Sequence, residues 1–481
     1  MHPRRRSTIR NLSILALLGF LSAGGAAAWF LQSAGVAPRT LARYIERRAE
    51  GHRPLVVDGV GSVARLLTLL DRDDGARLAL AIPGVGALPH AIAIQQSGRE
   101  VLLGSAAEVR SAIEQARPGD VLTMLPGRYR FGQTLSLAQP GRADSKITLR
   151  ALRADSVFID FDTVQGFVVT APDWRVENLT IRGTCASQPE CEHAFHVVGA
   201  AARFAALNNT ISDFNAHFKV NGEQGRFPDG GLIEGNTLTN GSARETSAAV
   251  TVIDMVGVSD WTIRRNLISD FVKGGGDRIS YGGFVKGGGA RNVFEQNVVL
   301  CEARLRGLGG QRVGLSLGGG GSSKEFCRDR KCITEQDQGV IQSNLVAACS
   351  DAGIYLNSAS RSKVLHNTLL DTAGIEARFA ETSADVEGNL VDGQIVERKG
   401  ALLRLSENRA TAAAALYVGL HPVRRMFAGD GAVPLAWNGS PPRRAAPTPA
   451  LPDLCASERP AIAALGAFED VARCRSIPAG R

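Results

Sequence analysis

Short aliphatic strand-like runs, each opened by an asparagine, recur through the middle of the chain: Asn178-Leu-Thr-Ile, Asn209-Thr-Ile, Asn236-Thr-Leu, Asn266-Leu-Ile, Asn297-Val-Val, Asn344-Leu-Val, Asn367-Thr-Leu and Asn389-Leu-Val. The intervals between the asparagines are 31, 27, 30, 31, 47, 23 and 22 residues. Runs this short, with a period starting in the low twenties, fit coils of parallel strands, each coil burying its aliphatics on the next about 4.8 Å away. An Asn at such a turn tolerates left-handed backbone and passes side-chain hydrogen bonds to its copy one coil along. The pattern therefore predicts an all-β fold, a single-stranded parallel β-helix over residues 105–405.

Ahead of the coils, residues 33–104 read as a small helical segment, with a basic stretch at Thr40–Glu50, then Val63–Leu70 and a short apolar run at Leu78–Ile82. Ser105 caps a helix over Ala106–Ala116, with Glu108 three residues on. Pro118-Gly-Asp120 ends that helix, Val121–Leu125 is a strand and Pro126-Gly-Arg-Tyr129 a turn. Residues 406–450 lose the period and read as an Ala/Pro/Arg-rich linker, and residues 451–481 as a tail that packs back on the coils.

The stretch Ser111-Ala-Ile-Glu-Gln-Ala-Arg-Pro-Gly-Asp120, then Leu125-Pro-Gly-Arg-Tyr129, resembles the opening of right-handed parallel β-helix proteins of the chondroitinase B and alginate lyase type. Lys146-Ile-Thr-Leu-Arg150 and Val176-Glu-Asn-Leu-Thr-Ile181 continue like that family's first coils, and Leu465-Gly-Ala-Phe-Glu469 resembles the ending of many β-helix enzymes. The resemblance implies a right-handed coil whose open N-terminal end is covered by the capping helix, which shields unpaired strand edges. It speaks for fold more than for activity.

Hydrophobic residues make up 44% of the chain and aromatics 6%, with 54 Gly, a mix suited to many strands and turns. The formal charge of +8 is unevenly spread: residues 1–50 hold eight Arg and no Lys against Glu46 and Glu50, which leaves +2 for the rest. That balance and the lack of any known motif exclude a nucleic-acid surface. The N-terminal Arg4, Arg5, Arg6 and Arg10 precede an apolar run of about 20 residues to Leu31, with Ala26-Ala-Ala28 inside it. Residues 1–32 thus read as either a cleaved export signal or an uncleaved inner-membrane anchor. Both predict a periplasmic or secreted monomer that meets a membrane only through this segment.

Eight cysteines suit export. Cys185 with Cys191 and Cys327 with Cys332 are the close pairs; Cys455 and Cys474 close the tail, leaving Cys301 and Cys349. No CxxC or paired-His spacing supports zinc.

The excess length between Asn209 and Asn344 is where loops on a rigid scaffold would build a site. An echo lies there, Phe271-Val-Lys-Gly-Gly-Gly276 and Phe284-Val-Lys-Gly-Gly-Gly289; neither copy has the spacing of a phosphate loop. Lys286, Arg312 and Tyr281 are the candidate catalytic residues. Lys286 matches the basic strand residue of the resembled lyases only in part, because their Arg-His-Gly phrase is missing. Alternation places His217, Lys219 and Asn221 on one face as a sugar-binding patch, joined by Lys273 and Arg304. A solvated sheet face and turn lysines are the plain alternatives. His193 and His196, three apart in a strand, are expected on opposite faces, which argues against a shared metal. Asp254, Asp270, Asp277 and Glu302 are the carboxylates that Ca²⁺ would use, though no EF-hand spacing exists.

Uronate β-elimination needs cations at the carboxylate, a base and a proton donor, and this residue set supplies those types. The first expectation is a lyase-like protein acting on an acidic polysaccharide. The second is a polysaccharide-binding or envelope-assembly β-helix without catalysis. A glycoside hydrolase ranks third, because the only Asp-Asp, Asp73-Asp74, lies outside the coils.

Overall fold

The computed structural model describes residues 35–72, 82–93, 98–428, 435–446 and 451–474, with Trp29 and Gln32. The signal or anchor run and most of Leu78–Ile82 lie outside these residues. Among the described residues, no helix is long and apolar enough to cross a membrane. The chain divides into two units, Met1–Arg72 with Thr411–His421, and Asp73–Ala410 with Pro422–Arg481.

The first unit is built on a helical hairpin, α1 (Pro38–Ala49) and α2 (Pro54–Asp71). Each helix opens on a Pro, whose fixed φ suits the first turn. The open end of the hairpin is clamped by a buried pair: Arg39 Nη2 donates to Asp71 Oδ1 at 2.7 Å, and the Arg39 N–H to Asp71 Oδ2 at 3.0 Å. Tyr417 donates to the Val36 carbonyl and His421 Nε2 lies 3.0 Å from the Leu70 carbonyl, which ties residues 411–421 to the same unit.

The second unit is a right-handed parallel β-helix of three long sheets with 12, 11 and 10 strands, each coil giving one strand to each sheet. At its start α3 (Ala106–Glu114) inserts Val109 and Ile113 into the core, and the Ser105 hydroxyl accepts the Glu108 N–H. Inside the coil like residues stack in register; Phe195 lies 4.9 Å from Phe167 and 5.2 Å from Phe218, both stacked face to face.

The asparagines form a hydrogen-bonded column at the corner between the 12- and 11-stranded sheets. Asn209, Asn236, Asn266, Asn297, Asn344, Asn367 and Asn389 each donate the backbone N–H to the next Asn Oδ1, at 2.8–3.0 Å. Their Nδ2 groups reach the same oxygen and a carbonyl of the preceding coil, as Asn297 does to Asn344 and to the Ile263 carbonyl. Two expectations change. The left-handed residue is the one before the ladder Asn, as at Arg265, Gln296 and Ser343, not the Asn itself. Asn178 takes that left-handed place, so Leu179 occupies the rung and donates its N–H to Asn209 Oδ1. At the other end Asn408 adds a rung that the aliphatic phrase does not mark.

All eight cysteines are paired, Cys185–Cys191, Cys301–Cys349, Cys327–Cys332 and Cys455–Cys474. Within the region read as a linker, Ala413–Leu416 is a helical turn of the first unit, while Arg443–Ala445 pairs antiparallel with Ile462–Ala464 in the second. The tail buries Leu454, Leu465 and Phe468 against Val298, Leu345 and Leu390 of the 11-stranded sheet.

Candidate functional site

The 10-stranded sheet carries the cleft. Its central strands are β1 (His193–Val198), β2 (Ala216–Asn221), β3 (Val250–Val256), β4 (Ile279–Lys286), β5 (Gln311–Gly318) and β6 (Ile354–Asn357). Strict alternation fails in these strands. In each of β1 to β4, two successive residues face the core: Ala194 and Phe195, His217 and Phe218, Val252 and Ile253, Gly282 and Gly283. The register drops one pair there, running Thr251↔Tyr281 and then Ile253↔Gly283. The bends stack so closely that a Cβ on Gly282 would meet the Gly314 carbonyl at 2.7 Å, which is why glycine stands there.

This bend corrects two expectations. His217 is wholly buried, with Nε2 3.2 Å from the Thr239 carbonyl, so it leaves the face of Lys219 and Asn221. Burial holds it neutral, lowering its pKa to about 4. His193 and His196, conversely, emerge on the same side with rings 5.4 Å apart. Tyr281 and Phe284 are likewise three apart, yet they meet edge to face at 5.4 Å.

On the outer face of β2, β3 and β4 lies a cleft of about 520 Å³ lined by Lys219, Asn221, Asp254, Tyr281, Phe284 and Lys286. Lys273 and Asp277 close one side; Gly319–Ser323 and Phe326, from the longest inter-asparagine interval, close another. Lys219 Nζ is 3.0 Å from Asp254 Oδ1, and Lys273 Nζ is 2.8 Å from Asp277 Oδ1. Lys286 differs. Among the described residues no carboxylate lies within ion-pair distance of its Nζ, which sits 4.6 Å from the Phe284 ring centre and donates to the Gly320 carbonyl at 3.4 Å. Burial lowers its pKa and nearby Lys219 adds to that, against the opposing pull of Asp254 and Glu335. A Cβ at Gly319 would stand 3.1 Å from Lys286 Cδ, so the bare backbone leaves the lysine its path. Tyr281 is pushed well above the ordinary phenol value by burial first, then by Tyr355, Asp351 and Asp277, which keeps its proton on.

Two predicted residues lie elsewhere. Arg312 is 1% exposed: its Nε donates to Glu302 Oε1 at 2.8 Å, and its Nη1 and Nη2 to the Gly309 and Leu308 carbonyls. A residue at a strand start with a long loop beside it is captured by that loop's carbonyls, so Arg312 braces the loop and does not line the cleft. Arg304 pairs with Asp270 and Thr239 on the flank of the 11-stranded sheet. Each carboxylate considered for Ca²⁺ has a cationic partner, and no group of three or more His, Cys, Asp or Glu gathers among the described residues.

Phe284 and Phe326 line the cleft without having been singled out as binding residues, and Asp254, considered only for Ca²⁺, lines it with them. The signal for Phe284 lay in the Phe-Val-Lys echo. Its partner Phe271 is buried in the core, so the two copies bring Lys273 and Lys286 to one cleft by different backbone routes.

No protein-family model matches the chain, and no curated protein matches it. Solved structures do. Pectate lyase Pel9A superposes with a TM-score of 0.53 at 12% identity, over 78% of this chain and 98% of that one. The chain shares the fold of β-helix polysaccharide lyases. A rhamnogalacturonan lyase matches at 13% identity over 65% and 87% of the two chains, with a TM-score of 0.45. An alginate lyase from Paenibacillus sp. matches at 14% over 64% and 99%, with a TM-score of 0.34. At these identities the likeness is one of fold.

Proposed function

We propose that the chain is an exported polysaccharide lyase acting on a uronate-containing polymer in the cleft of β2, β3 and β4. The observation that carries this is Lys286, half-buried in the cleft, with no carboxylate within ion-pair distance among the described residues and its neutral form favoured by burial. In its neutral form its Nζ takes the proton on the carbon beside the uronate carboxylate and becomes the ammonium. Lys219 and Lys273, at the walls, hold the carboxylate and stabilise the enolate-like charge that develops there. The protonated Tyr281 hydroxyl gives a proton to the departing glycosidic oxygen, so the bond breaks as the double bond forms. Phe284 and Tyr281 offer aromatic surface for a sugar face.

The second reading, a polysaccharide-binding protein without catalysis, is favoured by one observation: Lys219 and Lys273 are already neutralised by Asp254 and Asp277. A hydrolase fits less well. Burial alone would raise the Asp277 pKa, but Lys273 and the Ile279 N–H outweigh it and hold the carboxyl ionised, which is wrong for a general acid.

The test is incubation with alginate, chondroitin and pectate, following the ultraviolet absorbance of the unsaturated product. Product that disappears in Lys286→Ala supports the lyase. Saturable binding to one of these polymers with no product supports the binding protein instead.

A further inference from the structure

The first unit carries an apolar surface that the cleft does not use. In α2, Leu55 is 87% exposed, Leu66 58% and Leu69 62%, with Val56 and Val63 also bare. Val63, Leu66 and Leu69 share a stripe at helical spacing, the stripe that a water-facing domain normally turns inward. The only buried residues of α2 are Ala64 and Asp71. The Arg39–Asp71 clamp closes one end of the hairpin, while the turn end stands clear, with Leu55, Val56 and Val57 all exposed.

The chain itself indicates what covers this face. It enters the unit from an apolar run that ends at Leu31, and α1 begins at Pro38. A link of so few residues reaches on the order of 20 Å, less than the thickness of a bilayer. With that run in a membrane, the hairpin is tethered at the lipid surface. Trp29, 73% exposed at the end of the run, is a residue type enriched at that interface.

The geometry points to a second membrane contact: the α1–α2 hairpin lies on the bilayer, with the apolar face of α2 in the boundary between headgroups and acyl chains. It lies on the membrane and does not cross it. The exposed turn mixes Arg47, Arg48 and Arg53 with Glu46 and Glu50, so contact is driven by apolar burial and not by headgroup charge.

The full chain, reconstituted in phosphatidylethanolamine–phosphatidylglycerol vesicles, tests this with tryptophan as the probe. On a Trp29→Phe background, Leu66→Trp and Leu55→Trp each place an indole at an exposed position, so folding is undisturbed. Lipids brominated near the headgroup end of their acyl chains should quench the added emission about twofold or more, and 0.5 M salt should leave that quenching intact. Ile462→Trp, exposed on the tail, should show none. Equal emission in brominated and plain vesicles for both α2 variants overturns the proposal. Unquenched probes in a sedimenting dimer overturn it too and assign the face to a second copy.

Discussion

The coils from Asn344 to Asn408 and those from Asn236 to Asn344 stand on one ladder and carry different loads. Rungs in the first group are 23, 22 and 19 residues apart, and in the second 30, 31 and 47. The hydrogen bonds are the same to within 0.2 Å, so length inserted between rungs does not reach the ladder. The chain can loop out a cleft wall without losing register, because register is set by the asparagine corner and by the bend in the 10-stranded sheet. Closing a loop twice as long costs only about 0.6 kcal/mol. The 47-residue interval is also the one straddled by Cys301–Cys349, which joins neighbouring coils and offsets that cost.

The sharpest way to break this comparison is to substitute two cations of the stretched coils. Lys286→Ala should lower turnover by about 10³-fold or more while the melting temperature holds. Arg312→Ala should do the reverse. It leaves Glu302 buried without its Nε partner, at a cost of about 3–5 kcal/mol in denaturant unfolding, and turnover per folded molecule should hold. If Arg312→Ala abolishes turnover in a fully folded protein, the loop-bracing role is wrong. A pH series adds a direction: the rising limb of turnover should lie below the ordinary lysine range, because burial lowers the pKa of Lys286.

Much of the scaffold was legible in the sequence, since the ladder repeats a residue type at a position every coil must satisfy. Asn178 misled by one place because a left-handed corner also favours Asn, and composition does not separate the two roles. Lys219, Asn221, Lys273, Tyr281 and Lys286 come together in one cleft. His217, Arg304 and Arg312 do not, for separate reasons. A two-residue alternation cannot foresee a bend shared by successive coils, so His217 turned inward. Sequence likewise cannot say which loop carbonyls and carboxylates will reach a guanidinium first, and Arg304 and Arg312 were taken by their own neighbours.

The bend column itself varies along the coils, being titratable at His217, ahead of both groups, and glycine at Gly314 and Gly353 within them. The native state keeps His217 neutral down to about pH 4, whereas the unfolded chain takes up a proton near 6.5. Between those values the unfolded state binds more protons, so stability falls as pH falls. The contribution is fully present above 6.5 and lost by about 4. That amounts to roughly 3 kcal/mol for this residue. Urea midpoints at pH 7 and pH 4.5 should therefore separate less in His217→Met than in the parent. An equal separation would place the acid sensitivity in other groups, such as His193 and His366, both held to about 3 mainly by burial.

The smallest effect is the most direct test of the ladder. Asn297 and Asn367 make matching contacts: each donates N–H and Nδ2 to the next Asn, donates Nδ2 to a carbonyl of the preceding coil at 2.9 Å, and accepts from the Asn before it. One opens the 47-residue interval and the other a 22-residue one. Replacing either with Ala unpairs buried N–H groups on a neighbouring rung and should cost about 2 kcal/mol. If inserted length does not reach the ladder, the two losses should agree within about 0.5 kcal/mol, the scatter expected of independent sites. A clearly larger loss at Asn297 would mean that the stretched coil depends on its rung to hold the long loop closed, and that scaffold and site are coupled after all.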